Sequence, residues 1–220
     1  MPPTSEASAT RRSYDRVAVQ YTETIGDELI GKPLDRALLS MMAELVGTGL
    51  VADIGCGPGH IAACLDGQSV KVIGLDLSPT MCAIGRRTTS LPFGAADMTA
   101  LPLASGSLAG IVCFYAVIHL DAAKRARAYR EFARALAPGG HALVSFHIKD
   151  DEVPAGGSRR FTEWWGVEVA LTFRFLEPNK EISLLEAAGL RTVARVDRDP
   201  YFSAEHPSQR CYLLARRPAE

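Results

Sequence analysis

The sequence predicts an α/β fold in which a mostly parallel sheet carries helices on both faces. Short apolar runs alternate with stretches that have the apolar spacing of helices through most of the chain. The runs are apolar at consecutive positions rather than at every second one, which indicates strands that are buried on both faces. A length of 220 residues corresponds to one domain.

Two predicted helices precede the sheet, at residues 13–22 and 33–46. Residues 1–12 are polar and small, and we expect them to be a disordered lead-in. Tyr14 and Tyr21 are spaced so that both lie on one face of the first helix. We therefore expect this helix to be a lid that folds over a bound ligand. The alternative is a helix that is simply docked on the sheet.

Five strands alternate with helical segments after these helices, and a helix and two strands close the chain. The helix that begins at Ala122 stops before Pro138-Gly139-Gly140, where the next strand can start. Gly189 ends the last helix in the same way. The predicted strands are 50–54, 70–75, 91–96, 108–115, 141–146, 190–196 and 210–215, and the predicted helices among them are 60–65, 79–87, 122–136 and 177–188.

The segment between the fifth strand and the last helix departs from this alternation. Residues 149–158 are polar and contain Pro154 and the pair Gly156-Gly157, which indicates a loop. An aromatic segment at 161–175 follows. We expect an insertion at about 148–176 that acts as a substrate cap within a single domain of residues 13–220.

A glycine-rich loop joins the first strand to the following helix, at Asp53-Ile54-Gly55-Cys56-Gly57-Pro58-Gly59. Glycines allow a tight turn and let a ligand lie against the backbone. The spacing is G-x-G-x-G, whereas the dinucleotide fingerprint is G-x-G-x-x-G. The acid beside the loop suits a ligand that carries an ammonium group better than it suits a pyrophosphate. A plain glycine turn is the alternative.

Two further acids stand at the ends of the next strands. Asp76 ends the second strand, 23 residues after Asp53, where nucleotide-binding α/β folds keep a carboxylate for ribose hydroxyls. Asp97 follows the third strand, where it can accept a hydrogen bond from an exocyclic amine. Each acid alone could be a helix cap or a turn former, but three at successive strand ends predict a nucleotide-like ligand.

With these motifs the chain resembles the class I S-adenosylmethionine-dependent methyltransferases, of the small-molecule methyltransferase-domain type, over residues 14–215. The resemblance implies a Rossmann-like sheet of seven strands with an antiparallel last strand. It implies S-adenosylmethionine as cofactor and S-adenosylhomocysteine as product. The matching segments are D-I-G-C-G-P-G from Asp53, G-L-D-L-S-P-T-M from Gly74, G-A-A-D-M from Gly94, G-I-V-C-F-Y-A-V-I-H-L from Gly110, A-L-A-P-G-G from Ala135 and S-Y-D from Ser13.

The resemblance also implies roles for single positions. Asp53 would hold the methionine end of the cofactor, Asp76 the ribose hydroxyls and Asp97 the adenine amine. Other residues would pack on the adenine or face the methyl-bearing sulfur, although ordinary core filling is the alternative for the two methionines. The implied cofactor-binding residues are Tyr21, Asp53, Gly55, Cys56, Gly57, Gly59, Asp76, Leu77, Met81, Asp97, Met98, Phe114 and Tyr115.

Methyl transfer from a sulfonium is an in-line displacement, for which the protein aligns the acceptor and excludes water. The sequence lacks the motifs of nucleobase, cytosine-C5 and metal-dependent methyltransferases. We therefore expect O- or N-methylation of a small molecule without a metal. The alternative is a methyltransferase-like protein that binds S-adenosylmethionine or S-adenosylhomocysteine without turnover. The glycine spacing disfavours a nicotinamide dehydrogenase.

A general base is needed when the acceptor is a hydroxyl. Ligands bind outside the carboxyl ends of parallel strands, and this rule sends His119, His147 and His206 to one rim. We expect one of them, in that order of preference, to be the base, although each could instead be a structural or loop residue. The candidate substrate-binding residues are Tyr14, Trp164, Trp165, Arg159, Tyr201 and Glu205.

Composition narrows the expected partners and location. Lys and Arg number 24 against 25 Asp and Glu, a formal charge of -1, so no basic field favours a nucleic acid. The apolar run at 111–118 is too short to span a bilayer. The five cysteines are odd in number and lack C-x-x-C spacing, which predicts a reduced, cytoplasmic protein. We expect a monomer or a homodimer.

Overall fold

The computed structural model describes residues 5–201 and 205–219 and places seven strands in one sheet. The helices are α1 (Glu6–Ile25), α2 (Pro33–Val46), α3 (His60–Asp66), α4 (Pro79–Thr89), α5 (Ala122–Ala135) and α6 (Pro178–Ala187). The strands are β1 (Leu50–Ile54), β2 (Lys71–Asp76), β3 (Phe93–Ala95), β4 (Leu108–Phe114), β5 (Leu136–Lys149), β6 (Ser158–Trp164), β7 (Val167–Arg174), β8 (Arg191–Arg198) and β9 (Gln209–Arg216).

The central sheet has the strand order β3-β2-β1-β4-β5-β9-β8. The pairs β1–β2, β1–β4, β2–β3 and β4–β5 are parallel, and β9 runs antiparallel to β5 and to β8. The predicted Rossmann-like sheet of seven mostly parallel strands with an antiparallel last strand is therefore confirmed. The strand order reverses between β1 and β4, which is where open α/β sheets bind ligands.

Helices cover both faces of this sheet, as predicted. On one face α5 and α6 bury Tyr129 and Leu185 in an apolar cluster. On the other face α2 buries Leu39. Neighbouring residues of β4 supply both clusters, Ile111 to the first and Val112 to the second. This arrangement explains why the strand is apolar at consecutive positions.

The structure corrects the predicted lead-in at residues 1–12, because α1 begins at Glu6. Residues 1–4 of that lead-in lie outside the described residues. The Ser5 hydroxyl accepts a hydrogen bond from the backbone N–H of Ser8 and caps the helix. Glu6 then pairs with Arg174 at 2.6 Å and with Lys124 at 3.1 Å. These partners are distant in the chain, so the local composition does not reveal the helix.

The predicted cap is a β-hairpin. β6 and β7 pair antiparallel in a sheet of their own. Trp164 and Trp165 lie at the hairpin turn, with their rings stacked 4.3 Å apart. Trp165 and Gly166 both have positive φ, 54° and 76°, as the tightest hairpin turns require. Tryptophan is unusual at such a position, so the turn has no sequence signal.

Candidate functional site

A cavity of about 520 Å³ opens at the carboxyl ends of the parallel strands, where the strand order reverses. Most of the predicted site residues line it, and the roles expected for them stay predictions. Those that line the cavity are Tyr14, Tyr21, Asp53, Gly55, Cys56, Gly57, Asp76, Leu77, Met81, Asp97, Met98, Phe114, Tyr115, His119, His147, Trp164, Glu205 and His206.

The glycine loop forms one wall of the cavity. Gly55 and Gly57 have φ of 73° and 52°, a region that glycine enters without strain. A Cβ at Gly55 would lie 2.2 Å from the Cβ of Ala116, so only glycine fits there. The Gly57 N–H donates to Asp76 Oδ2 at 2.9 Å. This hydrogen bond ties the loop to the end of β2 and keeps its backbone against the cavity.

Asp53 is a buried carboxylate at the end of β1, 1% exposed. Its Oδ2 has no hydrogen-bond partner among the described residues. Burial raises the pKa of Asp53 to about 8, and the charge of Asp76 adds to the rise. A buried, unpaired carboxylate is costly, and the ammonium group of an amino-acid ligand would offset that cost. Asp53 therefore fits the role that the resemblance implies for it.

Asp76 and Asp97 line the same half of the cavity. Asp76 Oδ1 accepts a hydrogen bond from the Ser78 N–H at 2.7 Å. Asp97 Oδ1 accepts from the N–H and the hydroxyl of Thr99, both at 2.8 Å. Burial also raises the pKa of Asp76. The two carboxylates are thus oriented before a ligand arrives, and a carboxylate has further lone pairs for ligand hydroxyls or an amine.

Helix α1 forms the roof, and three consecutive residues attach it to the elements around the cavity. The Ser13 hydroxyl oxygen accepts from the Ala170 N–H of β7 at 2.8 Å. Asp15 Oδ1 accepts from the Ser78 hydroxyl, at the start of α4, at 2.6 Å. Tyr14, between them, is hydrogen-bonded to the segment after β4. The S-Y-D motif therefore joins α1 to three separate parts of the fold.

We expect hydrogen exchange of residues 13–22 to slow when S-adenosylhomocysteine is added. Tyr14 and Tyr21 line the cavity, so a ligand there would add contacts that hold α1 down. Mass spectrometry of deuterium uptake measures this, with α6 as an internal control because none of its residues lines the cavity. Equal protection of residues 13–22 in both states would favour the docked-helix alternative.

His119, the first-choice base, has both ring nitrogens engaged. Its Nδ1 lies 3.3 Å from the carbonyl oxygen of Thr172, which can only accept, so the proton is on Nδ1. Its Nε2 then accepts from the Tyr14 hydroxyl at 2.8 Å. Burial lowers the pKa of His119 to about 4. The ring is therefore neutral and acts on Tyr14 rather than directly on a ligand.

His147 differs from His119 in having a nitrogen that no described residue engages. Its ring stacks on that of Tyr115, with centroids 5.0 Å apart, and its Nδ1 lies 2.7 Å from the Ser208 hydroxyl oxygen. Nε2 has no hydrogen-bond partner among the residues that the structure describes. Burial and the charge of Arg210 lower the pKa of His147 well below its usual value. A neutral imidazole thus faces the cavity.

His206 lies at the open rim, with a side chain that is 48% exposed. Its Nε2 lies 3.1 Å from Asp150 Oδ2, and its ring is 6.2 Å from that of His147. Residues 202–204 of the same predicted loop lie outside the described part. The structure therefore brings the three candidate histidines to one cavity, and His147 is half-buried there with Nε2 unengaged by any described residue.

Four predicted site residues, Gly59, Arg159, Trp165 and Tyr201, do not line the cavity. A Cβ at Gly59 would lie 2.5 Å from the Phe93 ring, so this glycine packs α3 against β3. The Arg159 guanidinium pairs with Asp150 and Glu152 of the loop that precedes its strand. The Tyr201 ring packs 4.2 Å from a guanidinium of β8. Each was selected by its place in the chain, and each is used in packing.

The cavity wall also contains ionisable residues that sequence reasoning did not select, among them Glu28, Lys32, His60 and Arg210. Lys32 Nζ donates to Glu28 Oε2 at 2.7 Å, and His60 Nε2 lies 3.2 Å from Glu28 Oε1. Although burial acts to raise it, the pKa of Glu28 is lowered to about 2 by its bonds to His60 and Lys32. The i,i+4 spacing of Glu28 and Lys32 was the only local signal.

Neither a metal-binding cluster nor a membrane-spanning helix occurs within the described residues. No group of three or more His, Cys, Asp or Glu side chains within residues 5–201 and 205–219 is arranged to hold a metal ion. None of the described helices is long and apolar enough to cross a membrane.

Residues 51–140 match the family model of the methyltransferase domain. The chain is 32% identical over 155 residues to the malonyl-[acyl-carrier protein] O-methyltransferase of Enterobacter lignolyticus, covering 70% of this chain and 59% of that protein. It is 32% identical over 148 residues to the tRNA (carboxymethyluridine(34)-5-O)-methyltransferase ALKBH8 of Mus musculus, covering 67% of this chain and 21% of that protein. The chain therefore spans less than two thirds of either relative.

The fold is also similar to a solved structure of 1,6-didemethyltoxoflavin-N1-methyltransferase from Burkholderia thailandensis, with 1,6-didemethyltoxoflavin and S-adenosylhomocysteine bound. The TM-score is 0.73 at 20% identity, and the match covers 99% of this chain and 92% of the other. At that identity the likeness shows the fold alone. It agrees with the α/β architecture that the strand pairings established.

Proposed function

We propose that the chain, whose residues 51–140 match the family model of the methyltransferase domain, transfers a methyl group from S-adenosylmethionine to a small-molecule acceptor. The observation that carries the proposal is the buried Asp53 carboxylate, whose Oδ2 has no partner beside the glycine loop. Such an atom fits a cationic ligand, and the two other strand-end acids complete the nucleoside side of the same cavity.

The residues of the cofactor half have separable tasks. Asp53 binds the ammonium group of the methionine end, Asp76 binds the ribose hydroxyls and Asp97 binds the adenine amine. Met81 and Met98 supply apolar surface for the adenine. When bound, S-adenosylmethionine supplies a methyl group that is already activated by the positive sulfur. The protein then has to align the acceptor and keep water out, and we assign the second task to α1.

For an acceptor that must lose a proton, we assign the general base to His147. The imidazole is neutral and lines the cavity, and in the tautomer whose Nδ1–H donates to the Ser208 hydroxyl oxygen its Nε2 can accept a proton as the acceptor reacts. Ser208 holds the other ring nitrogen, which fixes the orientation of the imidazole. Tyr14, held by His119, lies across the cavity as a positioning residue. No step of this scheme requires a metal.

Several observations support a small molecule over a polymer. The cavity is lined by residues of α1 and of the hairpin and has the volume of a small-ligand site. The formal charge of -1 does not favour a nucleic acid, although one relative is a tRNA methyltransferase. The relative from Enterobacter lignolyticus is an O-methyltransferase. We also propose a cytoplasmic location, which agrees with five free cysteines among the described residues.

The experiment that tests this function has two stages. Calorimetry should show binding of both S-adenosylmethionine and S-adenosylhomocysteine at about micromolar strength. A panel of small hydroxyl, carboxylate and amine compounds, with tRNA alongside, is then assayed for transfer of isotope-labelled methyl. Transfer to a small molecule supports the proposal, and transfer to tRNA alone contradicts the substrate class. Tight cofactor binding with no transfer to any acceptor would favour a binding protein without turnover.

A further inference from the structure

The two halves of the cavity differ in their unused hydrogen-bonding groups. The half at β1, β2 and β3 has three carboxylates, of which Asp53 keeps an unpaired oxygen. The half at β4, β5 and β9 contains Lys32, His147 and Arg210 together with Glu28 and Glu205. On this second side each oxygen of Glu28 and Glu205 already has a partner among the described residues. Lys32, by contrast, keeps N–H groups that no described residue accepts.

Lys32 carries most of that unused donor capacity. The residue is 2% exposed, and among the described residues its ammonium group makes one hydrogen bond, to Glu28 at 2.7 Å. The next carboxylate oxygen, on Glu205, lies 3.6 Å from Nζ, which is beyond hydrogen-bond distance. The remaining neighbour is the Tyr115 ring, whose centroid is 5.3 Å from Nζ. An ammonium group has three donors, so two are left in a buried place that lines the cavity.

The acids on this side have little capacity left to take those donors. Both oxygens of Glu205 accept hydrogen bonds from Arg198, and Oε1 also accepts from the Tyr201 N–H. Arg210 Nε is another neighbour of Glu205 and lies 3.1 Å from its Oε2. One carboxylate thus faces three cations. Both oxygens of Glu28 are engaged as well, by Lys32 and His60.

The electrostatic potential at His147 is positive, as this arrangement of cations predicts. Burial lowers the pKa of His147 most, Arg210, His206 and Lys32 lower it further, and Glu28 acts to raise it. A positive potential beside a buried imidazole disfavours a second cation there and favours an anion. The walls around this point are aromatic, because Tyr115 stacks on His147 and Phe114 packs on Tyr115.

We propose that the acceptor is an aromatic or similarly planar molecule with a carboxylate group, and that Lys32 binds this carboxylate beside His147. This proposal rests on the proposed methyl transfer and names its substrate class. The cavity then matches a cationic donor with Asp53 at one end and an anionic acceptor with Lys32 at the other. The cations of one half and the acids of the other favour this placement of the two molecules.

The test uses benzoate and its neutral counterpart benzamide as probes, with the protein saturated in S-adenosylhomocysteine. Calorimetry should show benzoate binding at least about tenfold more tightly than benzamide, as expected for one charge-assisted hydrogen bond. Lys32→Met should remove this preference. Lys124→Met is the matched control, because Lys124 lines the same cavity near α5, and it should keep the preference.

Loss of Lys32 leaves Glu28 without its cation, so the variant could fail to fold. The double variant Lys32→Met with Glu28→Gln removes the charge of both partners, and it should fold and also lose the preference for benzoate. Equal affinity for the two probes, no saturable binding of benzoate up to its solubility limit, or a preference kept in both variants would overturn the proposal. Failure to bind S-adenosylhomocysteine would instead contradict the proposed function itself, and it is measured first.

Discussion

Replacing His147 with alanine is expected to lower turnover about 100-fold and to leave the affinity for S-adenosylmethionine unchanged. The imidazole lines the acceptor half of the cavity, away from the three acids assigned to the cofactor. Its Nε2 is free among the described residues, so its removal takes away a proton acceptor without breaking a hydrogen bond at that atom. The measurement is the rate of methyl transfer to the acceptor that the panel identifies, with cofactor affinity followed by calorimetry.

The pH profile provides a second readout for His147. Because its pKa lies well below the usual value, the imidazole is already neutral at neutral pH and ready to accept a proton. The wild-type rate should therefore stay level from neutral to mildly alkaline pH and fall only in acid, where the ring becomes protonated. His141→Ala is the matched control, since His141 lies on the same strand but does not line the cavity. Near-normal turnover of His147→Ala would mean that the enzyme works by alignment alone.

The cofactor half of the cavity was predictable because its residues are determined by local sequence. Asp53, Asp76 and Asp97 each follow a short apolar run, and the carboxyl ends of parallel strands meet at one edge of the sheet. That rule brings the three acids together without knowledge of any long-range contact, and all three line the cavity. The glycine loop is equally local, since its role follows from backbone conformations that a side chain would obstruct.

The acceptor half was not predictable in the same way. Lys32 precedes α2 and Arg210 lies on β9, and they meet only because β9 inserts between β5 and β8. The order of preference for the general base also changed, from His119 to His147, for a similar reason. His119 follows β4 and His147 lies near the end of β5, but partners from α1 and the hairpin engage both nitrogens of His119. The sequence does not reveal that His119 has both ring nitrogens engaged and His147 does not, because this difference depends on tertiary contacts.

The affinity for S-adenosylhomocysteine is expected to fall as the pH is lowered, by about tenfold per pH unit once the pH is well below the pKa of Asp53. That pKa is raised to about 8 by burial and by Asp76, so the free protein holds a proton on Asp53 at neutral pH. The ligand's ammonium group binds the ionised carboxylate, so binding releases that proton. Affinity therefore rises with pH until Asp53 is ionised, and it falls again at higher pH, where the ligand's α-amino group loses its own proton.

Calorimetry in two buffers with different ionisation enthalpies counts the released proton directly. Asp53→Asn should bind more weakly near pH 8, release no proton and lose the decline in acid. The same variant should be more stable than the wild type near that pH without ligand, because the folded protein binds an extra proton from the ordinary Asp pKa of 3.8 up to about 8 and loses stability across this range. A variant that gains stability and loses affinity cannot be explained by misfolding. Wild-type affinity that does not change with pH, with no proton released, would show that Asp53 does not bind the ammonium group.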